Sequence, residues 1–272
     1  MDNKFSVLMS VYIKEKADYF NECMESLLKQ TVQPNEIVIV QDGPVSVEID
    51  EAIINYKKKY PGLLKIIPLK QNKGLGLALA DRIKNCTYEL IARMDTDDIC
   101  VPERFERQLK EFKENPALDI VGSYICEFDG TIKDKIAIRK VPICNGDIRK
   151  YQKKRSAFNH VTVMFKKSSV LKAGNYKDAL FVEDDLLWCD MLQCGCVGKN
   201  IDEVLVYVRT GMSMIMRRGG WRYFCNYRNG RRKILNTGYI TYFDYLSTIL
   251  MQLIVCMIPS KLRYKLFVKI LR

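Results

Sequence analysis

Histidine is almost absent from this chain, with one residue, His160, among 272. A lone imidazole with no other soft ligand beside it excludes a histidine-built metal centre. The ten cysteines contain no CxxC pair. Cys194 and Cys196 flank one glycine, and Cys100, Cys126 and Cys256 are scattered at apolar positions. That scatter, with a beginning (MDNKFSVLMSVY) that reads as a strand and not as a signal peptide, points to a reducing cytoplasm. No internal repeat, low-complexity tract or Pro/Ser-rich linker divides the chain, which leaves one extended domain or one domain with a C-terminal appendage. GxxxxGK[ST] is missing, which sets aside a P-loop ATPase. Gly74-Leu-Gly76 lacks the third glycine of a dinucleotide fingerprint and follows the third predicted strand instead of the first. A DxD phosphatase would carry its motif on the first strand, with Thr or Val where Ile99 stands.

What is present alternates. FSVLMSVY (5–12), NEIVIVQDG (35–43), LLKIIPL (63–69) and ELIARMD (89–95) are short apolar runs typical of buried strands. Between them DYFNECMESLLKQ, EIDEAIINYKKKY and GLGLALADRIKNC repeat apolar residues at helical spacing. PERFERQLKEFKEN puts Pro102 at an expected first helical position. This order predicts βαβ units, hence an α/β fold with a mainly parallel sheet flanked by helices. The Asp129-Gly130 pair predicts a hairpin. A helix over 181–195 and a late strand over 200–210 follow.

Ligands of such sheets sit at the carboxyl ends of the strands. Those ends are Val11-Tyr12, Gln41-Asp42-Gly43, Asn72-Lys73-Gly74 and Asp95-Thr96-Asp97-Asp98, so Asp42 and the DTDD group should line one crevice. Three carboxylates in four positions repel one another unless they are paired. Two readings stay open from the residues alone: Asp97 or Asp98 caps the helix that follows, or the group holds a hard divalent cation such as Mg2+ or Mn2+.

S-V-Y, Q-D-G-P, N-K-G-L-G and M-D-T-D-D at the four strand ends, followed by E-D-D-L-L-W and V-Y-V-R-T, resemble the inverting family 2 glycosyltransferases. The resemblance runs from about Phe5 to about Trp221 and is strongest to bacterial enzymes that build O-antigen or capsule repeat units. It implies the GT-A fold, a nucleotide-diphosphate sugar donor and Mn2+ or Mg2+ as cofactor. By the same resemblance Val11 and Tyr12 pack the uracil base and Asp42 accepts its N–H. Asp95 sits near ribose and metal, Asp97 is the main metal ligand, and Asp184 is the general base. A base at a helix N-terminus is expected to stay ionised near neutral pH. Asp185 leaves that assignment open by one position, and Asp185 and His160 are candidates for the acceptor side. Arg217 and Arg218 suit a pyrophosphate. The Q-x-x-R-W signature of processive members is absent, which implies transfer of one sugar at a time.

The formal charge of +12 is unevenly spread: from Met212 to Lys233 there are seven basic residues and no acidic one. The C-terminal apolar stretch, broken by Asp244, Ser247, Thr248 and Gln252, falls short of the roughly 20 apolar residues a membrane span needs. Residues 1–237 are therefore read as a GT-A domain and 238–272 as amphipathic helices. Those helices either lie on an anionic inner-membrane surface or pack on the domain. The implied partners are a UDP-sugar and a lipid-linked (undecaprenyl-diphosphate) saccharide, with no nucleic acid. The implied location is cytoplasmic, on the inner face of the plasma membrane. Two rival readings are a nucleotide-sugar-binding protein without turnover and a nucleic-acid-binding protein using Trp221, Tyr223, Phe224 and Tyr227.

Overall fold

The computed structural model describes residues 4–179, 182–210, 219–260 and 262–263; Arg217 and Arg218 lie outside them. Four strands form the parallel half of one sheet: β1 (Phe5–Val11), β2 (Glu36–Gln41), β3 (Leu64–Pro68) and β4 (Leu90–Arg93), in the order β3-β2-β1-β4. The connections carry α1 (Ala17–Leu28), α2 (Val47–Lys59) and α3 (Leu75–Arg82). Side chains alternate across a strand, and here both faces are apolar. Val7, Met9, Ile37 and Ile39 face a layer that includes Phe20, Met24, Leu27 and Ile53. Leu8, Val38 and Val40 face a second layer with Leu79, Ile83, Trp188 and Leu192. Each such side chain, fully buried, contributes about 1.5–3 kcal/mol.

Beyond β4 the sheet turns mixed. It continues through β8 (Met164–Lys166), antiparallel to β4, then β6 (Ile120–Phe128) and β9 (Gly198–Arg209), which run parallel to each other. β7 (Lys135–Arg139) returns on β6 as the expected hairpin; Asp129 N–H donates to the Asp134 carbonyl at 3.2 Å, and Thr131 Oγ1 to Asp134 Oδ2 at 2.7 Å.

The helix expected from Pro102 starts two residues later, as α4 (Arg104–Glu114). Residues 99–100 are instead a short strand, β5 (Ile99–Cys100), antiparallel to β9, and Val101 N–H donates to the Leu205 carbonyl at 3.0 Å. DTDD is thus followed by a strand, and the helix-cap reading of Asp97 and Asp98 is overturned. After α5 (Asn145–Gln152) and α6 (Lys167–Lys172), α7 (Glu183–Gln193) carries the second acidic group, and α8 (Gly220–Asn236) and α9 (Tyr242–Met257) close the described chain. Among the described residues no helix is long and apolar enough to cross a membrane.

Candidate active site

Asp42 follows β2, Tyr12 follows β1 and DTDD follows β4. β1 lies between the other two in the sheet, so Asp42 and DTDD begin two strand spacings apart, about 10 Å. Asp42 N–H donates to the Val11 carbonyl at 2.8 Å, while its carboxylate accepts from the backbone N–H of Lys73 (2.7 Å) and Gly74 (3.0 Å). The N-K-G loop is thereby tied to the end of β2. Gly43 has a φ of +85°, and a Cβ there would stand 2.7 Å from the Asn72 nitrogen, so only glycine allows the approach. Two backbone donors leave the Asp42 carboxylate with acceptor capacity to spare, since its two oxygens offer about four lone-pair sites.

Glu15, Asp95, Asp97 and Asp98 form one electrostatic neighbourhood. Asp95 is bonded to Arg93, whose fully buried side chain also donates to the carbonyls of Met94 and Leu8. Arg104, equally buried, supports Arg93 by donating to its carbonyl at 2.7 Å. Burial, and then Asp95, push Asp97 up to about 6. Burial, and then Asp97 and Asp95, push Asp98 well above the usual carboxylate range. Glu15 rises to about 7 through burial and then Asp97 and Asp95. Its place is set by a turn in which its N–H donates to the Tyr12 carbonyl at 3.0 Å. This excess of crowded carboxylate over guanidinium could hold a hard cation, and Asp97 and Asp95 are the candidate groups for it. Among the described residues no three His, Cys, Asp or Glu side chains converge to hold a metal by themselves. Mg2+ and Mn2+ need no such cage: Mg2+ typically takes one or two carboxylates and leaves positions for substrate phosphates.

Arg209, at the end of β9, fixes that loop from outside. Its backbone N–H donates to Asp98 Oδ1 at 2.8 Å, Nε to the Asp97 carbonyl at 3.2 Å and Nη1 to the Gly130 carbonyl at 2.8 Å; Nη2 pairs with Glu22. Its guanidinium lies 3.9 Å from the Tyr19 ring centroid and 4.7 Å from that of Phe128. Arg209→Lys keeps the charge and loses the fork and the stacking. It is expected to weaken Mn2+-dependent UDP binding 10- to 100-fold, the usual effect of loosening a group behind a ligand. Isothermal titration with and without Mn2+ measures this, and an unchanged affinity would deny Arg209 that function.

The second acidic group opens α7. Gly76 lets the start of α3 close on it, since a Cβ there would stand 3.0 Å from Glu183 Cβ and 3.2 Å from the Lys177 carbonyl. Asp185 accepts from Gln152 Nε2 at 2.8 Å, and Gln152 is fixed in turn by Ala157 N–H at 2.8 Å. Asp184 has no such side-chain donor as its main influence. Burial, then Asp185 and Glu183, raise it to about 7. This corrects the expectation of a fully ionised carboxylate: desolvation and two adjacent acids outweigh a helix dipole worth about 0.3–1 kcal/mol at an exposed site.

His160 and Tyr176 form a pair, with His160 Nε2 and the Tyr176 hydroxyl 2.9 Å apart, and Tyr176 is near both acidic groups. Both feel Arg93 and Asp95, and Tyr176 also feels Asp184 and Glu183. Burial, and then Arg93, lower His160 to about 3, so the ring is neutral; it packs 6.1 Å from the Trp188 ring. Sequence reasoning missed Glu15, Arg93, Arg209 and Tyr176. Two of them carried a signal: Arg93 as the single charge inside an apolar strand, and Arg209 as the arginine of the V-Y-V-R-T motif.

A βαβ half with acids at the ends of β2 and β4 on either side of β1, an antiparallel insertion and a second acidic group opening a later helix define a GT-A glycosyltransferase. The model of Glycosyl transferase family 2 matches residues 6–176, and the chain belongs to that family. It is 42% identical to an uncharacterized glycosyltransferase of Haemophilus influenzae, covering 86% of this chain and 89% of the relative. It is 36% identical to a UDP-Gal:alpha-D-GlcNAc-diphosphoundecaprenol beta-1,3-galactosyltransferase of Escherichia coli, over 99% of this chain and 97% of the relative. Two solved structures share the fold. One is Staphylococcus aureus TarS residues 1–349 with UDP (TM-score 0.60, 19% identity, 86% of this chain and 66% of that one). The other is a mannosyltransferase of Pyrobaculum calidifontis with GDP-Man and Mn2+ (TM-score 0.64, 13% identity, 92% of this chain and 69% of that one).

Proposed function

We propose that this enzyme is a metal-dependent inverting transferase in bacterial surface polysaccharide assembly. It moves one hexose, of galactose or glucose type, from a UDP-sugar to an undecaprenyl-diphosphate-linked glycan. The observation that carries the reading is the pairing of a crowded carboxylate group after β4 with the half-buried Asp184 that opens α7, both close to Tyr176 of the His160–Tyr176 pair. Full-length likeness to a galactosyltransferase acting on a diphosphoundecaprenol substrate supports the donor and acceptor class.

Val11 and Tyr12 pack the uracil, Asp42 accepts its N–H, and Asp95 binds the ribose. Asp97, with Asp95, would hold Mn2+ or Mg2+, which when bound neutralises charge developing on the diphosphate. Asp184 takes the proton of the acceptor hydroxyl as its oxygen bonds to the anomeric carbon from the face opposite UDP. The bond from that carbon to the β-phosphate oxygen breaks, and its electron pair leaves with UDP. An α-linked donor thus gives a β-linkage. Asp185 and His160 line the acceptor side, and Arg217 and Arg218 meet the diphosphate. The enzyme works as a peripheral protein on the inner face of the plasma membrane.

Incubation with a panel of UDP-sugars and Mn2+ tests this. UDP release with one or two donors, stopped by EDTA, is the expected result. UDP binding without release from any donor or acceptor would favour a non-catalytic sugar-nucleotide binder. Salt-sensitive retention on DNA without UDP binding would favour a nucleic-acid binder.

A further inference from the structure

We propose that the outer face of the α8–α9 pair seats this enzyme flat on an anionic lipid bilayer, an inference that rests on the lipid-linked acceptor proposed above and names the surface that meets it. Along α9, Thr248, Ile249, Val255 and Cys256 turn inward, with Ile249 and Cys256 joining Phe224 of α8. Phe243, Leu246, Leu250, Ile254 and Met257 recur every three or four residues on the opposite side, and all are exposed, Phe243 and Met257 at 76% each. A helix normally turns such a stripe to the core, and a contiguous exposed one marks an interaction surface. Trp221, 69% exposed, stands in the first turn of α8. Arg263, six residues beyond the end of α9, lies against Gly219, so the chain after α9 returns to the start of α8. Tryptophan favours the level of lipid headgroups.

Charge selects the occupant. From Val204 to the last residue there are thirteen Lys and Arg against one acid, Asp244, so this quarter of the chain carries the whole formal excess of +12. Asp244 is spent locally, accepting from Thr241 N–H at 3.1 Å and Thr241 Oγ1 at 2.7 Å in a capping box. Arg222, Arg228 and Arg232 of α8 are exposed. A second copy of the chain would set two such cationic segments against each other, whereas an anionic leaflet attracts each Lys or Arg near it by about 1 kcal/mol. Length fixes the mode: α9 has 16 residues, about 24 Å at 1.5 Å per residue, against a hydrocarbon core of about 30 Å. It lies in the interface.

The seat is tied to the proposed base. A Cβ on Gly230 of α8 would stand 2.0 Å from Val182 Cγ2, directly before α7. Arg231 Nη2 donates to the Lys153 carbonyl at 2.5 Å, and Ile234 shares a buried cluster with Val182, Leu186 and Cys189. The helix on the bilayer and the helix that begins at Glu183-Asp184 therefore move as one, and a lipid-borne acceptor is met at a fixed height.

The test compares the full chain with the triple variant Phe243→Ser, Leu250→Ser, Ile254→Ser. Co-sedimentation uses phosphatidylglycerol-containing and pure phosphatidylcholine vesicles, and donor-dependent UDP release is followed in parallel without vesicles. The wild type should partition onto the anionic vesicles, and the variant roughly tenfold or more weakly, with UDP release unchanged. Equal partitioning of the two proteins overturns the proposal. So does a wild type that ignores vesicles and is dimeric by sedimentation while the variant is monomeric, because the stripe is then a self-interface. Absent UDP release with intact vesicle binding overturns the transferase reading and leaves the bilayer seat standing.

Discussion

Asp184→Asn is expected to abolish sugar transfer while leaving UDP affinity within about twofold of wild type. General-base catalysis is worth about 10²–10⁴-fold, and amide nitrogen cannot take the hydroxyl proton. The shape of the side chain is kept, so the donor site after β1, β2 and β4 is untouched. Wild-type kcat/KM should rise with pH through about 7, where Asp184 loses its proton, and stand near a tenth of its plateau at pH 6. Stability moves the other way. A carboxylic acid whose value is raised by folding from 3.8 to about 7 favours the fold most below about pH 4. That contribution is lost as the pH climbs through 7. The neutral variant is therefore expected to melt at or above wild type at pH 8 by calorimetry. Lost UDP binding in Asp184→Asn would assign Asp184 to the donor instead of the acceptor.

Asp97→Ala is expected to reduce UDP affinity in Mn2+ to the value measured in EDTA, a loss of at least 10- to 100-fold, as even groups behind a ligand cost that much. Asp97 lies where burial and Asp95 already oppose its charge, an arrangement that a bound cation reverses in sign. Without metal the variant removes one source of repulsion from Glu15 and Asp98, and the apo protein should be no less stable than wild type at pH 8. Titration of UDP with and without Mn2+ decides the matter; undiminished Mn2+-dependent binding would place the cation elsewhere.

Local physics made much of the fold legible. Buried positions 20, 23, 24 and 27 of α1 repeat at helical spacing, β2 carries an unbroken apolar run from Ile37 to Val40 before a polar turn, and Asp129-Gly130 closes the hairpin where expected. These depend on neighbours a few residues apart. Helix onset at Pro102 was misread because β5 is made by pairing with β9, about a hundred residues later. Asp98 looked like a cap for the same reason, yet its partner is the Arg209 backbone, 111 positions away.

The sequence by itself determined the alternation of strands and helices from β1 to β4, the placing of acids at strand ends and the cationic last quarter, because periodicity and charge are written along the chain; β5, β8, α5 and α6 emerged only in the fold. Only the tertiary structure decided which acids are crowded, which is proton-competent near neutral pH, and that Glu15 and Arg209 attend DTDD. It also decided that α9 turns its apolar stripe outward. Part of the repulsion is written along the chain, between the neighbours of DTDD and of Glu183-Asp184-Asp185. Desolvation, and partners such as Glu15 and Arg209, about 80 and 111 positions from the acids they attend, act through space and exist only in the fold.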